Sequence, residues 1–231
     1  MNPFATPGPG AIDAVLFDFG GVLTSSPFET FARYEEANGL ADGFIRLVNA
    51  TDHHDNAWAR LERGEIGFDE FCDSFEAEAR RAGGVVDARK LFAALSMSLR
   101  PAMIEAVRRC RTLFKTGLLT NNFASPGANT PVGPHTLSGE TTRTALGEVL
   151  ALFDVVVESS VVGLRKPDPR IYLLACEQLG VDPERAVFLD DLGINLKTAR
   201  QLGMRTIKVG DPDRAITELE QVVGVGLRSD P

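Results

Sequence analysis

Val15-Leu16-Phe17 is a short, unbroken apolar run that stops at Asp18-Phe19-Gly20-Gly21, the pattern of a buried strand entering a glycine turn. From about Pro27 to Leu99 the pattern becomes helical. Phe68, Phe71, Cys72, Phe75 and Ala79 recur at i, i+3, i+4, i+7 and i+11 and build one apolar stripe, and Phe28, Phe31 and Ala32 begin another. No strand pattern interrupts this stretch. After Pro101, well placed as a first helical residue, helices alternate with short apolar runs at Gly117-Leu118-Leu119, Val155-Val156-Val157, Val187-Phe188-Leu189 and Thr206-Ile207-Lys208-Val209. Asp168-Pro169 opens one helix, Gly180 closes it, Gly203 closes the next, and a last helix is expected over Asp211–Val223.

Strand–helix–strand repetition with continuous apolar strands predicts a parallel sheet covered by helices on both faces. The strand at 15–17 belongs to that sheet, so the helical stretch is an insertion after the first strand. The predicted organisation is a disordered tail at 1–10, an α/β core from 11–24 and 100–231, and an all-helical module at 25–99. Residues 124–144, polar and rich in Pro, Gly and Thr, are expected to form a mobile loop.

Composition narrows the function classes. The 231 residues are 44% hydrophobic and 24% charged, enough to bury a full core and unlike a disordered or fibrous chain. A net charge of −8 argues against a nucleic-acid surface, which needs clustered Lys and Arg. It leaves room for a small phosphorylated molecule, because a bound metal and a few local cations invert the field inside a pocket. No apolar run approaches the roughly 18 residues that span a bilayer, and Met1–Gly10 lacks the basic and apolar regions of a signal peptide. Three cysteines without CxxC spacing (Cys72, Cys110, Cys176) suggest reduced packing thiols. A cytoplasmic location with no membrane partner is therefore expected.

Four chemistry-bearing positions follow predicted strands: Asp18 the first, Thr120-Asn121 the second, Lys166 the third and Asp190-Asp191 the fourth. Ligands of open α/β sheets bind at that edge. Any one of these polar residues is an ordinary strand-end feature, but their joint placement is not. Three clustered carboxylates repel unless a hard cation such as Mg²⁺ neutralises them. Thr120 and the amides after it can donate to a phosphoryl oxygen, and Lys166 can offset its charge. Asp18 is then left as the nucleophile of a phosphoryl transfer through an aspartyl-phosphate.

The stretches LFDFGGVLT, LLTNN, GLRKPDPRIY and FLDDLGINLKTA resemble the four motifs of the haloacid dehalogenase superfamily, across Ile12 to about Gly210. They are most like the subgroup containing the N-terminal phosphatase domain of soluble epoxide hydrolase. The resemblance implies a Rossmann-like core and makes the insertion a helical cap. It also implies that Asp18 is the nucleophile, that the Gly20 carbonyl and Asp191 are metal ligands with Asp190 as partner, and that Thr120, Asn121 and Lys166 hold the transferring group.

One position departs from the pattern. Phosphatases of this superfamily usually carry a second Asp two residues after the nucleophile, as general acid and base, and here that position is Gly20. Loss of such a group removes about 10²–10⁴-fold in rate. Three readings follow. One is a phosphatase for substrates with good leaving groups, since by resemblance some members with glycine here are phosphatases. His53 and His54 are the cap histidines that could supply a proton, although adjacent histidines in a polar run are more often simply exposed. Another is dehalogenation, opposed by the Asp190-Asp191 pair. The third is a phosphate- and Mg²⁺-binding module that does not turn over.

Overall fold

The computed structural model describes residues 11–95, 97–123 and 146–228. The expected tail at 1–10 lies outside these residues, as does the expected loop at 124–144. Five strands form one parallel sheet: β1 (Ala14–Phe17), β2 (Lys115–Thr120), β3 (Val155–Glu158), β4 (Ala186–Asp190) and β5 (Arg205–Lys208), in the order β3-β2-β1-β4-β5. Alternate residues leave opposite faces of the sheet. Val15, Phe17, Val187 and Leu189 enter one apolar cluster, and Ala14, Leu16, Ala186 and Phe188 enter another. Because both faces are covered, the central strands carry no polar face: every residue of β1 and β4 is buried.

The helices supply the cover. α1 to α5 (Pro27–Ala37, Phe44–Ala50, Ala57–Glu62, Phe68–Arg81 and Ala88–Ala94) fill the β1–β2 connection and are followed by α6 (Pro101–Cys110). A turn of helix over 146–150 is α7. Then come α8 (Ser159–Val162), α9 (Pro169–Leu179), α10 (Gly193–Gln201) and α11 (Pro212–Val223). Met103 and Val107 of α6, Val149 of α7 and Ile216 and Leu219 of α11 pack on one face of the sheet; Ile171 and Tyr172 of α9 and Leu196 and Ala199 of α10 pack on the other.

The helix-boundary signals have visible causes. Pro101 is the first residue of α6, the Asp168 carboxylate accepts from the Arg170 amide at the start of α9, and Gly180 ends α9 in the left-handed region. Asp211 is the cap of α11 rather than its first residue, accepting from the Arg214 amide. α1 to α5 share an apolar cluster of their own, with Phe71 and Phe75 fully buried at its centre. The stripe read at Phe68, Phe71, Cys72, Phe75 and Ala79 lies on α4 and faces that cluster, Phe68 partly buried at its edge. All three cysteines are buried free thiols. No helix among the described residues is long and apolar enough to cross a membrane.

Candidate active site

The carboxyl ends of β1, β2 and β4 bring the expected residues together. Asp18 continues β1, its amide donating to the Leu189 carbonyl at 2.9 Å, and its carboxylate accepts from the Phe19 amide at 2.7 Å. Asp190 closes β4 and is fully buried. It accepts from the Leu192 amide at 2.7 Å and from the Asn195 side chain at 3.1 and 3.0 Å. Lys166, in the loop between α8 and α9, is 1% exposed. Its Nζ reaches Asp18 at 2.7 Å, Asp190 at 2.8 Å and the Leu119 carbonyl at 2.8 Å, so all three ammonium hydrogens have an acceptor. Carboxylate oxygens of Asp18, Asp190 and Asp191 lie within 4.8 Å of one another.

Charge at this centre is unbalanced. Burial, opposed by Lys166 and reinforced by Asp190, holds the Asp18 carboxyl well above the usual carboxylate range. Burial and then Asp190 push Asp191 up to about 6. Burial works against the Lys166 ammonium, but the two carboxylates beside it prevail and raise its pKa. One lysine thus faces three acids. Removing it leaves buried carboxylates unpaired, a loss on the order of 3–5 kcal/mol. In metal-free buffer at pH 7.5, Lys166→Met should lower unfolding stability by about that much; an unchanged urea midpoint would show that the lysine does not compensate the acids.

Asp18, Gly20, Thr120, Asn121, Lys166 and Asp191 line a cavity of about 490 Å³. Its opposite wall is mainly apolar and aromatic, with Phe28, Phe31 and Trp58 from the helical module and Phe123 from the core. Asn49 also lines it, and the Asn49 Oδ1 is buried without a hydrogen-bond partner among the described residues. Thr120 is buried at the tip of β2. Asn121 spans the Lys166 main chain: its Oδ1 accepts from Lys166 N at 2.8 Å and its Nδ2 donates to Lys166 O at 3.0 Å. His53 borders the cavity, whereas His54 is exposed.

Three groups at the site were not among the residues expected there. Asn195 braces Asp190 from α10. Arg100 donates to the Gly21 carbonyl at 2.9 Å. Glu62, at the end of α3, binds Arg165 at 2.7 Å and Asn121 at 3.2 Å. Asn195 lies within the stretch that begins with the acid pair and had a sequence signal. The other two are brought in only by tertiary packing.

A strand-end carboxylate, a buried lysine and a pair of acids thus meet at the carboxyl edge of a parallel sheet whose first connection is a helical insertion. The chain belongs to the haloacid dehalogenase-like hydrolase family, whose model matches residues 12–203. It is 36% identical over 220 residues to acyl-CoA dehydrogenase family member 10 of Mus musculus, covering 93% of this chain and 19% of that protein. It is 34% identical over 233 residues to bifunctional epoxide hydrolase 2 of Sus scrofa, covering 96% of this chain and 40% of that enzyme. It thus spans well under half the length of these two relatives. A phosphatase of Mycobacterium tuberculosis, MT3486, is 31% identical over 219 residues, covering 86% of this chain and 88% of that one. Among solved structures, a family enzyme from Bacteroides thetaiotaomicron in complex with magnesium and inorganic phosphate shares the fold at TM-score 0.55 and 21% identity, covering 87% of this chain and 96% of that one.

Proposed function

We propose that the protein is a Mg²⁺-dependent phosphatase-type hydrolase of a small phosphorylated metabolite, working through an aspartyl-phosphate on Asp18. The observation that carries this reading is the centre itself: Lys166 Nζ lies 2.7 Å from Asp18 and 2.8 Å from Asp190, with Asp191 beside them, and Asp18, Lys166 and Asp191 line one cavity. Likeness to a named phosphatase, and a shared fold with an enzyme holding magnesium and phosphate, support it.

The donor set fits a small hard cation. It is all oxygen, and the 4.8 Å within which the three carboxylates gather compares with about 4 Å between opposite ligands of Mg²⁺ at its usual bond lengths. Asp18, Asp191 and the Gly20 carbonyl would hold the ion, with Asp190 behind them. When bound, Mg²⁺ neutralises acidic charge and polarises a phosphoryl oxygen.

The chain's own residues then divide the work. An Asp18 oxygen forms a bond to phosphorus as the bond to the leaving oxygen breaks. Thr120 and the Asn121 amide donate to phosphoryl oxygens, and Lys166 holds the nucleophile in place and offsets negative charge. Water then hydrolyses the acyl phosphate, releasing inorganic phosphate and regenerating Asp18. Gly20 has no proton to give the leaving oxygen, so acyl, aryl or anomeric phosphates are the substrates this site suits best. His53, at the cavity wall, is the imidazole placed to assist.

Turnover of acetyl phosphate or p-nitrophenyl phosphate with Mg²⁺ tests the proposal. Absence of turnover with these and with an anomeric phosphate would refute it. Stoichiometric phosphorylation of Asp18 without release would select the non-turnover reading, which Gly20 favours.

The acid cluster also predicts how stability responds to metal. The folded Asp191 pKa of about 6 exceeds its ordinary 3.8. The native state therefore holds a proton that the unfolded chain has lost, and this stabilisation disappears as pH rises through about 6. A cation relieves the ionised cluster. Saturating Mg²⁺ should raise Tm by about 5–10 °C at pH 7.5 and much less at pH 5. Equal shifts at both values in a thermal melt would contradict the metal assignment.

A further inference from the structure

We propose that Glu62 is a positioning residue that ties the seating of the helical cap to the placement of Lys166. It rests on the proposed hydrolase only in taking Lys166 as the lysine of the active site.

Glu62 is 8% exposed, and a buried carboxylate persists where donors satisfy it. Three do. Trp58 Nε1 donates to Oε1 at 3.0 Å from the same helix, while Arg165 Nε at 2.7 Å and Asn121 Nδ2 at 3.2 Å donate to Oε2 from the core. Both core donors adjoin the lysine. Arg165 precedes it in the chain, and Asn121 holds its main chain at two points, 2.8 Å at the amide and 3.0 Å at the carbonyl. An unbroken series of hydrogen bonds therefore runs from Trp58 on the cavity wall, through Glu62 and Asn121, to the backbone that carries the ammonium between Asp18 and Asp190.

Two further contacts mark this corner as the cap's seat. Arg165 Nη1 donates to the His53 carbonyl at 2.9 Å, which adds a second cap group to the same guanidinium. Two residues beyond Glu62, Gly64 has φ +68°, and a Cβ there would stand 2.6 Å from the Ser160 carbonyl of α8, so the cap backbone abuts the core. Seating the cap delivers Glu62 to Arg165 and Asn121; lifting it removes the acceptor that orients both. Glu62 touches neither Asp18 nor Lys166 Nζ, and so acts through Asn121 and Arg165.

The test combines exchange and kinetics on the full chain. Lys166 N–H is bonded to Asn121 Oδ1, so its hydrogen exchange, followed by NMR, reports the clamp directly, with the Phe188 amide in β4 as the reporter of global opening. Glu62→Gln keeps side-chain volume and removes the ion pair. It should speed Lys166 exchange while leaving Phe188 exchange unchanged. With acetyl phosphate, Glu62→Gln and Glu62→Ala should lower kcat by about 10–100-fold, with little change in KM. Arg165→Ala should do the same, and the double variant should add little, because both act through one network. Unaltered Lys166 exchange in a folded Glu62→Gln would overturn the proposal, as would additive losses. If the wild type does not hydrolyse acetyl phosphate, the exchange measurement still decides the role of Glu62; if turnover is present and Glu62 variants change neither readout, the positioning role fails and the hydrolase stands.

Discussion

Asp18→Asn is expected to cut turnover by about 10⁴-fold or more without lowering the stability of the metal-free protein. The two halves have one cause. Asp18 is buried, and that burial, with Asp190 and Asp191 nearby, raises its pKa well above the ordinary range. Near neutral pH the ionised carboxylate is therefore a cost to the fold, held in place by Lys166. Asparagine keeps an oxygen able to accept from the Phe19 amide, the bond Asp18 makes at 2.7 Å. Lys166 keeps Asp190 and the Leu119 carbonyl. The substitution removes the proposed nucleophile and a buried charge together, a trade of function for stability that strained active sites commonly show. The check pairs initial rates on p-nitrophenyl phosphate with metal-free thermal melts. A folded variant that retains more than a few per cent of activity would exclude Asp18 as the nucleophile, and a melting temperature well below wild type would mean that Lys166 depends on the Asp18 charge.

What the sequence disclosed about this centre, and what it hid, follows from where each residue gets its position. Asp18, Thr120 and Asp190 stand at strand tips, and an apolar run ending in a polar residue shows such a tip directly. Lys166 was legible through its motif, although α8 and a loop separate it from β3. The helical insertion was legible because α4 carries its stripe through several turns. The residues of 27–99 that face the cavity were not, since periodicity gives a buried face without saying what it faces. Phe44 and Leu61 pack inside the cap cluster, Leu47 is 57% exposed, and Trp58 both packs there and lines the cavity. Arg165 pairs with Glu62 across a separation of 103 residues. No local pattern encodes a partner so far along the chain.

The glycine two residues after Asp18 sets up the second large effect. Gly20→Asp is expected to raise turnover of alkyl phosphates by about 10²–10⁴-fold and to change acetyl phosphate turnover little. The backbone admits the substitution. A Cβ at Gly20 meets nothing within 4 Å, and Gly20 is not among the glycines with positive φ. The neighbouring position behaves in the opposite way: Gly21 has φ +74°, and a Cβ there would fall 2.3 Å from Asp191 Oδ2. Glycine is thus demanded by sterics at 21 but not at 20, where its effect is to withhold a side chain from the cavity edge. A carboxyl there would join a crowded group of acids, which raises its own pKa and keeps a proton available near neutrality. The benefit should scale with the need for that proton: large for an alkoxide leaving group, small for acetate. The same gain on both substrates would point to altered binding or metal affinity instead of acid catalysis. No gain on either, in a variant with wild-type melting behaviour, would mean that another group already protonates the leaving oxygen, and His53→Asn would then become the decisive variant.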